Sequence, residues 1–261
     1  MSVIDLSGLG FGVFMAPYHA DLRKSFHLSL HRDFELVEHL DRLGYDEAWI
    51  GEHHSAGVEV IASPEIFIAA AAERTRHIRF GTGVLSLPYH NPLMVADRIV
   101  QLDHQTRGRV MFGFGPGALP SDVHMIGREQ TELRDNIKDA LEVLIPLLRG
   151  EMVNKKTKHY TLQDARLHIA PYTRPHPKLL MSAAVSPGGP RLAGTFGIGL
   201  LSATTSSDAA FNALAAAYEI WDEAARQHGH AIDRAEWRVV QNMHIAETRE
   251  QARANVRHGL G

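Results

Sequence analysis

Glu47-Ala48-Trp49-Ile50-Gly51-Glu52-His53-His54 runs a short apolar strand directly into three ionisable side chains. The residues on either side explain the arrangement. Upstream, residues 33–43 (DFELVEHLDRL) place Phe34, Leu36, Val37, Leu40 and Leu43 at near-helical spacing, so they read as an amphipathic helix closed by Gly44 as the residue after the C-cap. Residues 11–15 form an earlier apolar strand. Downstream, Ser63-Pro64-Glu65 opens a helix with a capping serine and proline in its first turn. Residues 78–87 are a third strand, Asn91-Pro92 opens a helix through Leu102, and residues 109–114 are a fourth strand.

The same alternation continues. A long helix spans residues 131–148, and residues 160–171 alternate like a hairpin excursion. Residues 179–184, 198–202 and 237–245 supply strands five to seven, separated by helices at 190–195 and 208–227, and a last helix starts near Thr248. Strand and helix in strict alternation predict a parallel sheet with helical crossovers. Right-handed crossovers leave an open doubly wound sheet or a barrel, and pattern alone does not choose between them. An eight-stranded barrel needs one strand more than the seven read here. No linker-like stretch divides the chain, so the expectation is one domain over residues 1–261, incomplete at its C-terminal end.

Polar and glycine-rich residues gather after the strands, at 16–18, 52–54, 81–83, 113–122, 182–191, 202–207 and 242–244. Parallel α/β enzymes bind ligands outside the carboxyl ends of their strands, so this is where chemistry is expected.

Composition narrows the chemistry. The chain has 261 residues and no cysteine, which excludes disulfides, thiolate metal sites and cysteine nucleophiles. The net charge is -3 with no long basic run, so nucleic acid is not an expected partner. No apolar stretch is long enough for a membrane span, and the first ten residues lack the pattern of a secretory signal. These features fit a reducing, cytoplasmic setting.

Glu52-His53-His54 admits three readings. A metal site is disfavoured, because adjacent strand residues point to opposite sides and no second cluster of suitable spacing exists, although the chain has 17 histidines. A purely structural pair of histidines and a proton-handling site at a strand end remain nearly balanced on composition alone. The run Gly113-Phe114-Gly115-Pro116-Gly117-Ala118 formally matches the dinucleotide fingerprint. That motif requires a helix to begin within it, whereas Pro120-Ser121-Asp122 reads as continuing loop, so a nicotinamide site is not expected.

Several stretches taken together go further. GVFM at 12–15, EAWIGEHH at 47–54, RFGTGVLSLPYHNP at 79–92, LDHQTRGRVMFGFGPG at 102–117 and VSPGGPRLAG at 185–194 resemble the bacterial-luciferase-like flavin-dependent monooxygenases, in the family's order and spacing. The resemblance covers nearly the whole chain and leans toward the limonene-hydroxylase-like and alkanal-monooxygenase-like branch. It implies a (β/α)8 TIM barrel, apparently lacking its eighth strand here. It also implies a two-component enzyme. Reduced FMN arrives from a separate reductase, reacts with O2 to a flavin 4a-peroxide, and oxidises a small apolar substrate.

The resemblance also assigns residues. His53 matches the catalytic histidine, with Glu52 and His54 as supporting residues that orient it or cap the strand end. Gly83 and Val84 match the position of a cis non-proline peptide beneath the flavin ring. Gly115 and Gly117 match a loop passing close to the flavin. Pro116 departs from relatives that carry arginine there, which puts one cofactor contact in doubt. Asp122 matches a carboxylate near the flavin site and is assigned with His53 to the catalytic group. Ser186, Gly188 and Gly189 match the phosphate loop, and this assignment has an independent physical basis, since two glycines and a serine precede a helix start whose amides are free. Val185 stands where the luciferases have an acidic residue. No metal is expected. A homodimer is implied by the resemblance. The alternatives are a deazaflavin-dependent oxidoreductase and a flavin-binding member without catalysis.

Overall fold

The computed structural model describes residues 8–16, 18–19, 21, 23, 25–59, 61–117, 119–204 and 208–258. Pro17, Ala118, residues 205–207 and the ends of the chain, where parts of the expected strand-end clusters fall, lie outside the described residues.

Nine strands are described: β1 (Gly12–Met15), β2 (Glu47–Ile50), β3 (Arg79–Ser86), β4 (Val110–Gly115), β5 (Val153–Lys156), β6 (Thr161–Ala165), β7 (Leu179–Ala183), β8 (Gly199–Ala203) and β9 (Trp237–Val240). The described α-helices are α1 (Phe26–Arg42), α2 (Pro64–Ala72), α3 (Pro92–Thr106), α4 (Pro120–Met125), α5 (Leu133–Leu148), α6 (Gly188–Phe196), α7 (Asp208–Asn212), α8 (Leu214–Gln227) and α9 (Arg249–Val256). Seven strands form one sheet in the order β1-β2-β3-β4-β7-β8-β9, and every pairing in it is parallel. β5 and β6 make a separate antiparallel hairpin.

Sequence pattern left open sheet and barrel undecided, and Glu47 separates them. It lies on β2, yet its carboxylate accepts hydrogen bonds from Arg238 on β9 at 2.8 and 3.2 Å. Five strand spacings separate β2 from β9, about 24 Å in a flat sheet. Two side chains cannot bridge that span, so the sheet is curled and its first and last strands approach each other. The strands therefore follow a (β/α)8 barrel with seven of eight staves among the described residues.

Side chains fill the barrel's interior. Trp49 packs with Met111, Leu180 and Leu201, and Val84 and Val240 lie against this cluster. Trp49 fits because its neighbour on β3 is Gly81, where a Cβ would overlap the indole ring. The indole N–H donates to Glu47 at 2.9 Å, and Arg79 reaches the same carboxylate at 2.9 Å. Burial alone would raise the Glu47 carboxyl, but the hydrogen bonds and charges of Arg238, Trp49 and Arg79 outweigh it and hold the group below its ordinary range. The outward faces of the strands, including Ile50, Phe80, Phe112 and Phe114, join the helices in one larger core.

Several boundaries differ from the sequence reading. α1 begins at Phe26, well before residue 33. The hairpin occupies residues 153–165 and not 160–171, because Thr157 turns the chain onto Tyr160 and Asn154 bonds Asp164 across the pair. The helix expected at 208–227 is two helices. β9 stops at Val240 because β8 ends at Ala203, its partner, and leaves residues 241–245 without a ladder. Residues 120–125 form α4, with Pro120 in its first turn, where a loop was expected. The dinucleotide motif still fails, for another reason. Gly113 and Gly115 lie within β4 itself, so the tight turn and helix start the motif needs are absent from it.

Candidate active site

The strand ends that carry the expected residues lie side by side in the sheet. After β2 the chain turns at Gly51. A Cβ there would lie 3.8 Å from His53 Cδ2 and 3.6 Å from the Gly83 carbonyl oxygen, so the imidazole edge and the end of β3 meet across this glycine. The Gly83–Val84 peptide is cis. The β3–β4 register shifts between Thr82 and Leu85, so the strand is locally bulged at this point. The Val84 side chain then covers Gly115, where a Cβ would meet Val84 Cγ2 at 2.5 Å and Ser182 Oγ at 3.2 Å. The Ser182 carbonyl in turn sits against Gly189, which no side chain could replace without a clash. His53, Gly83, Val84, Gly115 and Gly189 thus follow one another as neighbours along the strand ends.

Gly188 and Gly189 are the first residues of α6, a nine-residue helix. Amides in a helix's first turn have no intrahelical acceptor. Ser186 is exposed just before them, and Gly188 faces open space, with nothing nearer to a Cβ than Ser186 Oγ at 3.8 Å. The donors here suit an anion. Pro116 is half-buried, and Gly117 takes φ +91 while pressing on the Tyr89 hydroxyl, a position where a side chain would be doubly excluded. Arg191 is exposed.

The three ionisable residues after β2 do separate things. Glu52 is 5% exposed. It accepts from the Ser86 amide at 2.6 Å, from His54 Nε2 at 2.8 Å and from His90 Nε2 at 2.9 Å. Burial pushes its carboxyl up, but the bonds and charge from His90, the Ser86 amide and His54 prevail and lower it below the ordinary value. Glu52 therefore ties the end of β2 to the end of β3 and to His90 before α3; of the two roles expected of Glu52 and His54, holding the strand end fits and orienting His53 does not. His53 turns the other way, with Nε2 2.7 Å from Glu59 Oε2. That oxygen is buried and lies off the ring's N–H direction, so the contact is a close approach and not a linear hydrogen bond.

Asp122, from α4, is 2% exposed. It accepts a very short hydrogen bond from the Ser55 hydroxyl and a long one, 3.4 Å, from the His54 amide. It pins the turn that carries His53, and its hydrogen-bond partners are Ser55 and the His54 amide and not His53. Tyr89 has a buried hydroxyl without a hydrogen-bond partner among the described residues. Burial, with the charges of Asp122 and Glu52, pushes its pKa up to about 12, so it stays protonated. Sequence reasoning missed Glu59, His90, Ser55 and Ser182. The first three sit in loops without periodicity, and only the fold brings them to the strand end. Among the described residues, no group of three or more His, Cys, Asp or Glu is placed to hold a metal.

A family model for luciferase-like monooxygenases matches residues 10–261. The chain belongs to this family. Limonene 1,2-monooxygenase of Rhodococcus erythropolis is 51% identical over 257 residues, 98% of this chain and 65% of that protein. 4-Hydroxyprotoasukamycin monooxygenase of Streptomyces nodosus subsp. asukaensis is 49% identical over 247 residues, 94% of this chain and 66% of that protein. The chain thus spans about two thirds of the length of these relatives. Among solved structures, the oxygenating constituent of the type II Baeyer–Villiger enzyme 3,6-diketocamphane monooxygenase from Pseudomonas putida, in complex with FMN, superposes with a TM-score of 0.83. It is 27% identical, with 96% of this chain and 71% of that one covered. No helix among the described residues is long and apolar enough to cross a membrane.

Proposed function

We propose that this chain carries the flavin site of an FMN-dependent monooxygenase that oxidises a small apolar substrate with O2. The observation that carries the reading is the row of neighbours at the strand ends, from His53 across Gly51 to Gly83 and Val84, then Gly115 and Ser182, to the start of α6. Its parts fit FMN. The amides of Gly188 and Gly189 with the Ser186 hydroxyl suit a phosphate, and the glycine-lined, partly apolar strand end suits a flat ring.

Reduced FMN supplies the activation of O2, one atom of which enters the product while the other leaves as water. The residues of this chain do the rest. Ser186 and the α6 amides hold the phosphate. Gly83 and Val84 support the ring, with Gly115 and Gly117 keeping the adjoining loop close. His53 exchanges a proton with the reacting substrate. Asp122 fixes the His53 turn through Ser55, and Glu52 fixes it to Ser86 and His90. The apolar substrate matches the terpene that the Rhodococcus relative is named for. A separate reductase delivers the reduced flavin, the active form is a homodimer, and the site of action is the cytoplasm. All of residues 1–261 belong to one barrel domain.

The test is a His53→Ala variant supplied with photoreduced FMN, limonene and air. It should bind FMN within about twofold of wild type and lose product formation. Loss of FMN binding instead would make His53 structural. A wild-type chain that binds a reduced deazaflavin but not reduced FMN would favour the hydride-transferring alternative.

A further inference from the structure

We propose that Glu59 is the positioning residue of His53, a role resting on the reading of His53 as the proton-exchanging group. Three carboxylates surround the turn after β2, and two are already committed. Glu52 is occupied by Ser86, His54 and His90. Asp122 is occupied by Ser55 and the His54 amide. Glu59 is left, and its Oε2 lies 2.7 Å from His53 Nε2. No other side-chain partner of this imidazole occurs among the described residues.

The backbone is built to bring the pair together. The His53 amide donates to the Ile61 carbonyl at 3.1 Å, closing residues 53–61 into a loop. Glu59 makes an antiparallel bridge to Tyr18, and the His19 amide donates to the Val58 carbonyl at 2.8 Å. The loop is thereby fastened to Tyr18 and His19, in the segment after β1, with the Glu59 carboxylate held beside His53 Nε2. Both side chains are 26% exposed, so water does not fully screen the contact.

An anionic oxygen 2.7 Å from Nε2 favours the tautomer with hydrogen on that nitrogen over one with a lone pair there, which leaves Nδ1 as the ring's basic atom. When Nδ1 accepts a proton from the substrate, the imidazolium formed stands against an anionic partner already in place. Glu59 does not touch the reactants. It sets the ring's angle and offsets the charge that develops on it.

The test uses Glu59→Ala and two readouts. In the flavin-free chain labelled with 15N-histidine, wild type should show one ring with the 15N shifts of the Nε2–H tautomer, a signal assigned by its loss in His53→Asn. Glu59→Ala should lose the same signal while retaining the wild-type circular dichroism spectrum. In oxygenation assays it should lower kcat at least tenfold, with KM and the FMN Kd within twofold, and added formate should restore part of kcat. A signal that persists in Glu59→Ala, or a kcat unchanged by it, would overturn the proposal while leaving the monooxygenase reading intact. If wild type lacks oxygenation but the signal depends on Glu59, the pairing stands and the functional reading fails.

Discussion

Replacing Glu52 by glutamine should destabilise the protein more than any surface change, and with a distinctive pH dependence. The carboxylate accepts three hydrogen bonds from donors on three different segments, at 2.6, 2.8 and 2.9 Å. Glutamine offers one carbonyl oxygen and one donor group. Turned one way its NH2 faces the Ser86 amide; turned the other it meets two imidazoles, which must move their Nε2 hydrogens to Nδ1 to accept from it. An unsatisfied buried donor costs about 1–3 kcal/mol, and the remaining bonds lose their charge assistance. A net loss of about 3 kcal/mol at pH 7 follows, a large part of the about 5–15 kcal/mol that holds a typical domain together. Because the folded-state pKa of Glu52 lies below its ordinary value of 4.5, its contribution is complete above that value and fades as pH falls through the lowered one. Urea denaturation of wild type and variant from pH 7 down to pH 3.5 tests this. The gap should be widest near neutrality and narrow below about pH 4.5. No gap at pH 7, or one that stays constant to the acid end, would refute the claim that Glu52 is a working anion in this network.

Gly81→Ala places a methyl inside the Trp49 ring and should cost about 2–4 kcal/mol, since the indole must shift and loosen its bond to Glu47. Thermal melting measures the loss, and an unchanged midpoint would contradict the packing described for the barrel interior. Ser186→Ala should weaken reduced FMN binding about 5- to 10-fold, the worth of one exposed hydrogen bond to an anion, and leave riboflavin binding unaltered. Equal weakening of both ligands in anaerobic fluorescence titrations would place the phosphate elsewhere.

Much of the fold was legible because its local signals agree. Ser63 with Pro64, Asn91 with Pro92 and Gly44 punctuate the helices where the structure has their ends. The seven parallel strands fall where apolar runs predicted them. What the sequence could not decide was closure, because that depends on Glu47 meeting Arg238, residues 191 positions apart. The α4 turn was missed because Pro120-Ser121-Asp122 is equally good loop chemistry until Asp122 is seen bonded to Ser55.

The site divides in the same way. The glycines and Ser186 announce themselves by composition and by their place before a helix. The partners of the histidines do not. Which of Glu52, Glu59 and Asp122 faces His53 is a matter of how the 53–61 loop folds back, and adjacency in sequence pointed to Glu52, which is the wrong one.

We infer that reduced flavin held at this strand end activates O2 for transfer to an apolar substrate. Isotope labelling reaches it most directly. The chain is given photoreduced FMN, limonene and 18O2 in ordinary water, and the product is analysed by mass spectrometry. An oxygenated terpene carrying one 18O atom should form, and only when reduced FMN is present. A product labelled from water, or reduced FMN consumed with no oxygenated terpene at all, would contradict it.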